Sequence, residues 1–169
     1  MRTLVIGGAR SGKSRAAEAL VSGAVTYVAT GYPAGDDAEW QARLDLHRAR
    51  RPAEWTTLET IDLVGVLSSA GGPVLVDCLT LWLTRVLDQH DAWVAGITPA
   101  VEQEYDALVA AVRATTRDLV LVTNEVGQGV VPDTPSGRLF RDEMGRLNRL
   151  VADACDDVIW CIAGRTVRL

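Results

Sequence analysis

The sequence predicts an α/β fold: a mostly parallel central sheet with helices on both faces. Short β-branched and leucine-rich runs recur along the chain, and each is followed by a stretch whose apolar residues repeat at helical spacing. Strands that alternate with helices in this way lie side by side in parallel, because the helix is the crossover, and both sheet faces are then buried. The chain has 169 residues, 48% of them hydrophobic and 23% charged. That is enough for one well-buried core and short for two, so a single domain over residues 1–169 is expected.

The elements follow in order. The run "TLVI" at 3–6 precedes the helical stretch "KSRAAEALV", and "VTYVAT" at 25–30 precedes "DDAEWQARLDLHRARR". Asp36 or Asp37 is suited to cap that second helix and Thr60 the next, because a short polar side chain can accept from a free N–H of the first turn. "PVLVD" at 73–77 precedes "CLTLWLTRVL", and residues 88–97, "DQHDAWVAGI", show no period and read as an exposed connection. Thr98 before Pro99 and Thr134 before Pro135 each place a capping hydroxyl ahead of a proline at the first helical position, where no N–H is needed. "LVLVTNE" at 119–125 is the next strand, "SGRLFRDEMGRLNRLVADAC" the last helix, and "DVIWCIAGRTVRL" a strand, a turn at Gly164 and a closing strand. Of the tryptophans, Trp82 and Trp160 fall at core spacing, whereas Trp93 in the irregular stretch is the candidate for a surface contact.

Composition excludes several function classes. The formal net charge of −5 argues against a general nucleic-acid or anionic-membrane surface, since those gather phosphates with a positive field. Cys78, Cys155 and Cys161 form no C-x-x-C pair and are odd in number, so neither a disulfide framework nor a zinc site is expected. No run approaches a membrane span, and the apolar N-terminal run breaks at two glycines, too early for a signal segment. A reduced, cytoplasmic protein without integral membrane contact is the expectation.

The stretch "GGARSGKS" carries the most chemistry. Gly7, Gly8, Ala9, Arg10, Ser11, Gly12, Lys13 and Ser14 meet the spacing of a phosphate loop, with a strand before and a helix after. Glycines let the backbone curl so that successive N–H groups point at phosphate oxygens, and the following helix adds the positive end of its dipole. The fold is therefore expected to be P-loop NTPase-like. In such a loop Lys13 reaches the β- and γ-phosphates of ATP or GTP and the Ser14 hydroxyl ligates Mg²⁺. The ion also needs a carboxylate from a neighbouring strand end, and Asp77 in "VLVD" is the candidate. There is no G-x-G-x-x-G fingerprint with a downstream acid, which disfavours a dinucleotide fold. "TNEV" at 123–126 lacks the lysine and aspartate of a guanine-reading N-K-x-D.

The chain has two histidines. His90 sits in the irregular stretch. His47 shares a predicted helical face with Trp40 and Leu44, spaced by four and three, and Arg43, Arg48, Arg50 and Arg51 crowd the same region. Like charges hold an imidazole neutral and so nucleophilic, and guanidiniums bind phosphates; a solvated histidine in a basic patch is the other reading. Asn124 and Glu125 end a predicted strand at the sheet edge where Gly7 and Asp77 lie. They either position water, metal or a substrate hydroxyl, or form a structured turn. Arg138 and Arg141, on the last helix, either complete a neighbouring subunit's nucleotide site or belong to a solvated face.

Taken together, "GGARSGKSRAAEAL", "YVATGYP", "RLDLHRARRPAEWTTLE", "LVDCLTLWLTRVL" and "LVTNEVGQGVVPDTPSGRLFRDEMGRLNR" resemble, in order and spacing, the bifunctional adenosylcobinamide kinase / adenosylcobinamide-phosphate guanylyltransferase family of cobalamin biosynthesis. The resemblance runs from about Thr3 to the C-terminal strand. It implies phosphorylation of adenosylcobinamide by ATP or GTP, then transfer of GMP from GTP onto that phosphate through a guanylylated histidine, here His47. It further implies nucleotide contacts at residues 7–14, at Thr30, Gly31 and Tyr32, at Arg48, Ala49, Arg50 and Arg51, and at Glu59 and Asp77. A homotrimer with the nucleotide near a subunit boundary is implied too. Two departures stand out: Leu46 replaces the first of two adjacent histidines found in some relatives, and Arg50-Arg51-Pro52 stands where "GRP" often follows. Two other readings of the phosphate loop are a single-step small-molecule kinase, in which His47 has no role, and a nucleotide-operated switch or assembly protein. For the latter, Gln128 lacks the expected context.

Overall fold

In the computed structural model, the described residues are 1–169 without Ala34, Asp36 and Arg50, and without the side chains of Trp40, Arg43, Leu46 and His47. The elements run β1 (Arg2–Gly7), α1 (Lys13–Glu18), β2 (Thr26–Ala29), α2 (Ala38–Ala49), β3 (Thr56–Glu59), α3 (Leu63–Ser68), β4 (Val74–Asp77), α4 (Leu79–Gln89), α5 (Ala92–Ala95), α6 (Pro99–Ala114), β5 (Leu119–Asn124), α7 (Pro135–Ala152), β6 (Asp157–Ile162) and β7 (Arg165–Arg168). The strands form one sheet in the order β3-β2-β4-β5-β1-β6-β7. Every pairing is parallel except that of β6 with β7. The expected mostly parallel sheet is thus present.

Alternation along the strands divides the interior in two, because successive side chains point to opposite faces. Leu4, Val28, Val74, Val76, Leu119 and Leu121 join the cluster built on α3, α4, α6 and α7. Val5, Tyr27, Leu75, Val120 and Val122 face the other way and pack with Ala17 of α1 and Trp55. Helices therefore cover both faces, as the near-continuous apolar strands require. Trp82 is buried in the larger cluster, with its indole N–H donating to the Ile61 carbonyl at 3.0 Å.

Several local expectations need correction. Thr60 does not cap α3; Asp62 does, its Oδ1 accepting from the Gly65 N–H at 2.8 Å, while the Thr60 hydroxyl accepts from the Asp62 N–H. A carboxylate two residues nearer the helix has the shorter reach to the first-turn N–H groups. Residues 88–97 are not an irregular exposed connection: α4 continues to Gln89 and α5 fills Ala92–Ala95. Trp93 is half-buried there, its Nε1–H donating to Asp88 Oδ1 at 2.5 Å and its ring 6.2 Å from that of Phe140. Pro99 and Pro135 open their helices as expected, but only Thr134 accepts a capping bond, from the Gly137 N–H at 3.1 Å. Asp37 directly precedes α2, its carbonyl accepting from the Gln41 N–H; Asp36 lies outside the described residues. No described helix is long and apolar enough to cross a membrane.

Candidate functional site

The strand register brings the sequence candidates to one edge. Gly7 of β1 is paired with Asn124 of β5, and Asp77 of β4 with Val122, so the phosphate loop and Asp77 flank the C-terminal end of β5. Ligands collect at such an edge because the loops and helix N-termini that follow the strands all open there.

The loop between β1 and α1 is shaped by its glycines and by the far end of the chain. Gly12 lies in the left-handed region at φ 93°, where any Cβ is strained. Arg10 also adopts φ 55°. A Cβ at Gly7 would sit 2.5 Å from the Cys161 carbonyl oxygen and 2.6 Å from Ser11 Oγ, so β6 has closed onto the loop. The turn between β6 and β7 braces it from outside, the Gly164 N–H donating to the Ser11 carbonyl at 3.0 Å. Lys13 folds over the loop, with Nζ donating to the Gly8 carbonyl at 3.1 Å. The Ser11 hydroxyl is buried and lacks a hydrogen-bond partner in the structure. A buried polar atom of that kind fits a cradle made for a polar ligand.

Asp77 ends β4 and accepts from the Tyr27 hydroxyl through Oδ2. Tyr27 is 2% exposed, and burial together with the adjacent carboxylate raises its pKa, so it stays a neutral O–H donor. The Arg51 guanidinium lies 3.5 Å above the Tyr27 ring centroid, and Trp55 stacks against the ring at 6.3 Å. Arg51 also donates to Thr57 Oγ1 at 3.0 Å. Burial and Asp77 push the Cys78 thiol up to about 11, which leaves it protonated at neutral pH and a poor nucleophile.

The donor set suits magnesium. Ser14 lies in the first turn of α1 and Asp77 at the β4 terminus, a hydroxyl and a carboxylate offering hard oxygen atoms. Among the described residues no group of three or more His, Cys, Asp or Glu side chains forms an all-protein metal cage. A small cation that keeps its waters and takes its other ligands from phosphate fits such sparse donors.

The remaining candidates separate by what they already hold. Thr30 is fully buried, and its hydroxyl donates to the Cys78 carbonyl at 2.6 Å while accepting from the Cys78 N–H at 3.1 Å. Its side chain therefore ties β2 to β4. The Gly31 and Thr30 carbonyls accept from Arg85 at 3.3 and 3.4 Å, and Arg85 lies over the Tyr32 ring. The Tyr32 hydroxyl donates to Asp88 at 2.8 Å. Arg48 donates to Glu59 at 2.6 Å, so two expected nucleotide contacts are paired with each other. Ala49 is the last residue of α2; Arg50 and the His47 side chain lie outside the described residues, although the His47 backbone is helical.

Asn124 donates through Nδ2 to Thr80 Oγ1 at 2.8 Å, and its carbonyl accepts from the buried Asn148 at 3.0 Å. Glu125 accepts from the Gly127 N–H at 2.5 Å. Arg138 turns back onto the carbonyls of Pro132 and Asp133, and Arg141 pairs with its neighbour Asp142. Sequence reasoning missed Tyr27, Thr80, Arg85 and Asp88. The tyrosine's place within "VTYVAT" offered a weak signal, but its approach to Asp77 depends on β2 lying beside β4, a matter of strand order.

Comparison with known proteins bears on this geometry. The family described as cobinamide kinase / cobinamide phosphate guanyltransferase matches residues 3–169. A bifunctional adenosylcobalamin biosynthesis protein of Pseudomonas aeruginosa, CobP, is 45% identical over 97% of this chain and 94% of its own length. The corresponding protein CobU of Salmonella typhimurium is 38% identical over 100% of this chain and 99% of its own. Among solved structures, one from Pyrococcus horikoshii OT3 has a TM-score of 0.51 at 12% identity, covering 99% of this chain and 84% of that one, a likeness of fold alone.

Proposed function

This chain belongs to the cobinamide kinase / cobinamide phosphate guanyltransferase family, and from that membership we infer that it phosphorylates adenosylcobinamide with ATP or GTP and then transfers GMP from GTP onto the new phosphate. The observation that carries this reading is the convergence of the phosphate loop, Asp77 and Glu125 on the sheet edge at the end of β5.

In the first reaction the loop N–H groups and Lys13 hold the β- and γ-phosphates, with Lys13 leaving the Gly8 carbonyl for them. The acceptor hydroxyl oxygen bonds to the γ-phosphorus as the bridging P–O bond breaks, so the nucleoside diphosphate departs. Glu125 orients that hydroxyl and takes its proton; Asn124, already held by Thr80 and Asn148, fixes the strand end instead. Ser14 and Asp77 would hold Mg²⁺ through their hydroxyl and carboxylate oxygens. When bound, the ion neutralises charge on the departing phosphate groups.

In the second reaction a ring nitrogen of His47 attacks the α-phosphorus of GTP, forming an N–P bond while pyrophosphate leaves. An oxygen of adenosylcobinamide phosphate then attacks the same phosphorus, the N–P bond breaks, and the imidazole is regenerated. Two displacements, each with a good leaving group, replace one difficult step. The arginines that follow His47 hold phosphate charge, Arg48 from its pairing with Glu59 and Arg51 from the Tyr27 face. The chain works in the cytoplasm as a homotrimer, without nucleic acid, and light scattering on the purified protein checks the assembly.

Incubation with Mg²⁺ and GTP labelled at the α-phosphate should leave an acid-labile, base-stable label on the protein, the signature of a phosphoramidate. His47→Ala should abolish label and guanylyl transfer while the kinase reaction persists. An unlabelled wild-type protein would reduce the enzyme to a kinase, and label surviving in His47→Ala would place the nucleophile elsewhere.

A further inference from the structure

Tyr27 does more than a buried aromatic residue needs to. Its ring alone is enough to carry Arg51 at 3.5 Å and to stack on Trp55 at 6.3 Å. Phenylalanine would offer the same faces. The hydroxyl is what distinguishes the residue, and it reaches two positions along the neighbouring strand to donate to Asp77 Oδ2. Register makes the reach possible: Tyr27 is paired with Leu75, and Asp77 points to the same face two residues on. A fixed donor on one oxygen of a carboxylate selects the orientation of the other.

We propose that Tyr27 is a positioning residue for Asp77: its hydroxyl holds one carboxylate oxygen so that the group is pre-set toward a magnesium–nucleotide complex, while its ring ties Arg51 to the same carboxylate. This inference rests on the reading of Asp77 as the carboxylate that serves magnesium. It joins the two halves of the site through one side chain, since Arg51 follows the histidine helix and Asp77 serves the phosphate loop. Asp77 itself remains the group that meets the ion.

The test is calorimetric binding of ATP with and without Mg²⁺. In wild type, Mg²⁺ strengthens binding by some factor; Tyr27→Phe should cut that factor about ten-fold, the worth of one hydrogen bond to a charged group, and leave metal-free ATP affinity within two-fold. Asp77→Asn should remove the factor, and the double variant should match Asp77→Asn, because the hydroxyl acts only through the carboxylate. A Tyr27→Phe protein with the full wild-type factor, beside an Asp77→Asn protein that lacks it, overturns the inference and spares the reading of Asp77. An Asp77→Asn protein that keeps the factor overturns both. Should Tyr27→Phe melt too low for titration, wild type provides a second measurement. Adding Mg²⁺ to the ATP-bound protein should shift the emission of Trp55, assigned by its loss in Trp55→Phe, and a shift that persists in Asp77→Asn counts against the proposal.

Discussion

Gly7 tolerates nothing larger than hydrogen, because the Cys161 carbonyl and the Ser11 hydroxyl already occupy the space a methyl group would take. Gly7→Ala is expected to lose about 1–3 kcal/mol in urea unfolding, the usual cost of overpacking, and to weaken ATP binding by distorting the loop. At the opposite sheet edge, Arg2 makes two hydrogen bonds through its guanidinium to Asp156 and a third through its backbone N–H. Those bonds hold the Asp156 carboxyl at about 2, below its usual 3.8. A depressed carboxylate pKa means the unfolded chain binds the proton first as pH falls. The pair thus contributes its full stability above about pH 4 and loses it toward pH 2. Arg2→Met should lower the melting temperature at pH 7 and flatten the decline between pH 4 and pH 2. The glycine-rich turn between β1 and α1 was legible from spacing alone, since a nest of N–H groups demands glycine at fixed positions. Tyr27 was not, because its partner stands 50 positions away and is brought near only by pairing of β2 with β4.

The hairpin of β6 and β7 shows how an element remote in sequence supports the loop. Its turn places Ala163 at φ 49° and Gly164 at φ 73°, and the latter's N–H meets the Ser11 carbonyl. Alanine is strained in the left-handed region by roughly 1–2 kcal/mol, whereas asparagine visits it readily. Ala163→Asn should therefore stabilise the protein by about 0.5 kcal/mol, seen as a raised melting temperature with ATP affinity unchanged. The hairpin itself was readable from two short runs around a glycine. By contrast, β3 was not foreseen: all four of its residues are exposed, so "TTLE" has no buried face to impose alternation. α5 was missed for a related reason, since a four-residue helix is too short to display a period. The histidine helix was found by its 3–4 spacing, and its backbone spans Ala38–Ala49.

Across the whole molecule, chemistry and stability sit at opposite ends of the strands. The edge away from the phosphate loop is tied by Arg117, which is buried and donates to the Gly72 and Val66 carbonyls at 2.7 and 3.1 Å and to Thr26 Oγ1 at 2.8 Å. Arg117→Met would strand those acceptors, at a cost of about 2–4 kcal/mol. ATP affinity of the folded fraction at low temperature should be unchanged, because the clamp is a full strand length from the loop; calorimetry alongside urea unfolding separates the two effects. The strand order has one more consequence. β1 precedes the other strands in the chain, yet its two neighbours are β5 (Leu119–Asn124) and β6 (Asp157–Ile162). A nascent chain therefore carries the complete glycine-lysine motif well before it holds either strand that flanks it, and the loop has no scaffold until β5 and β6 have followed.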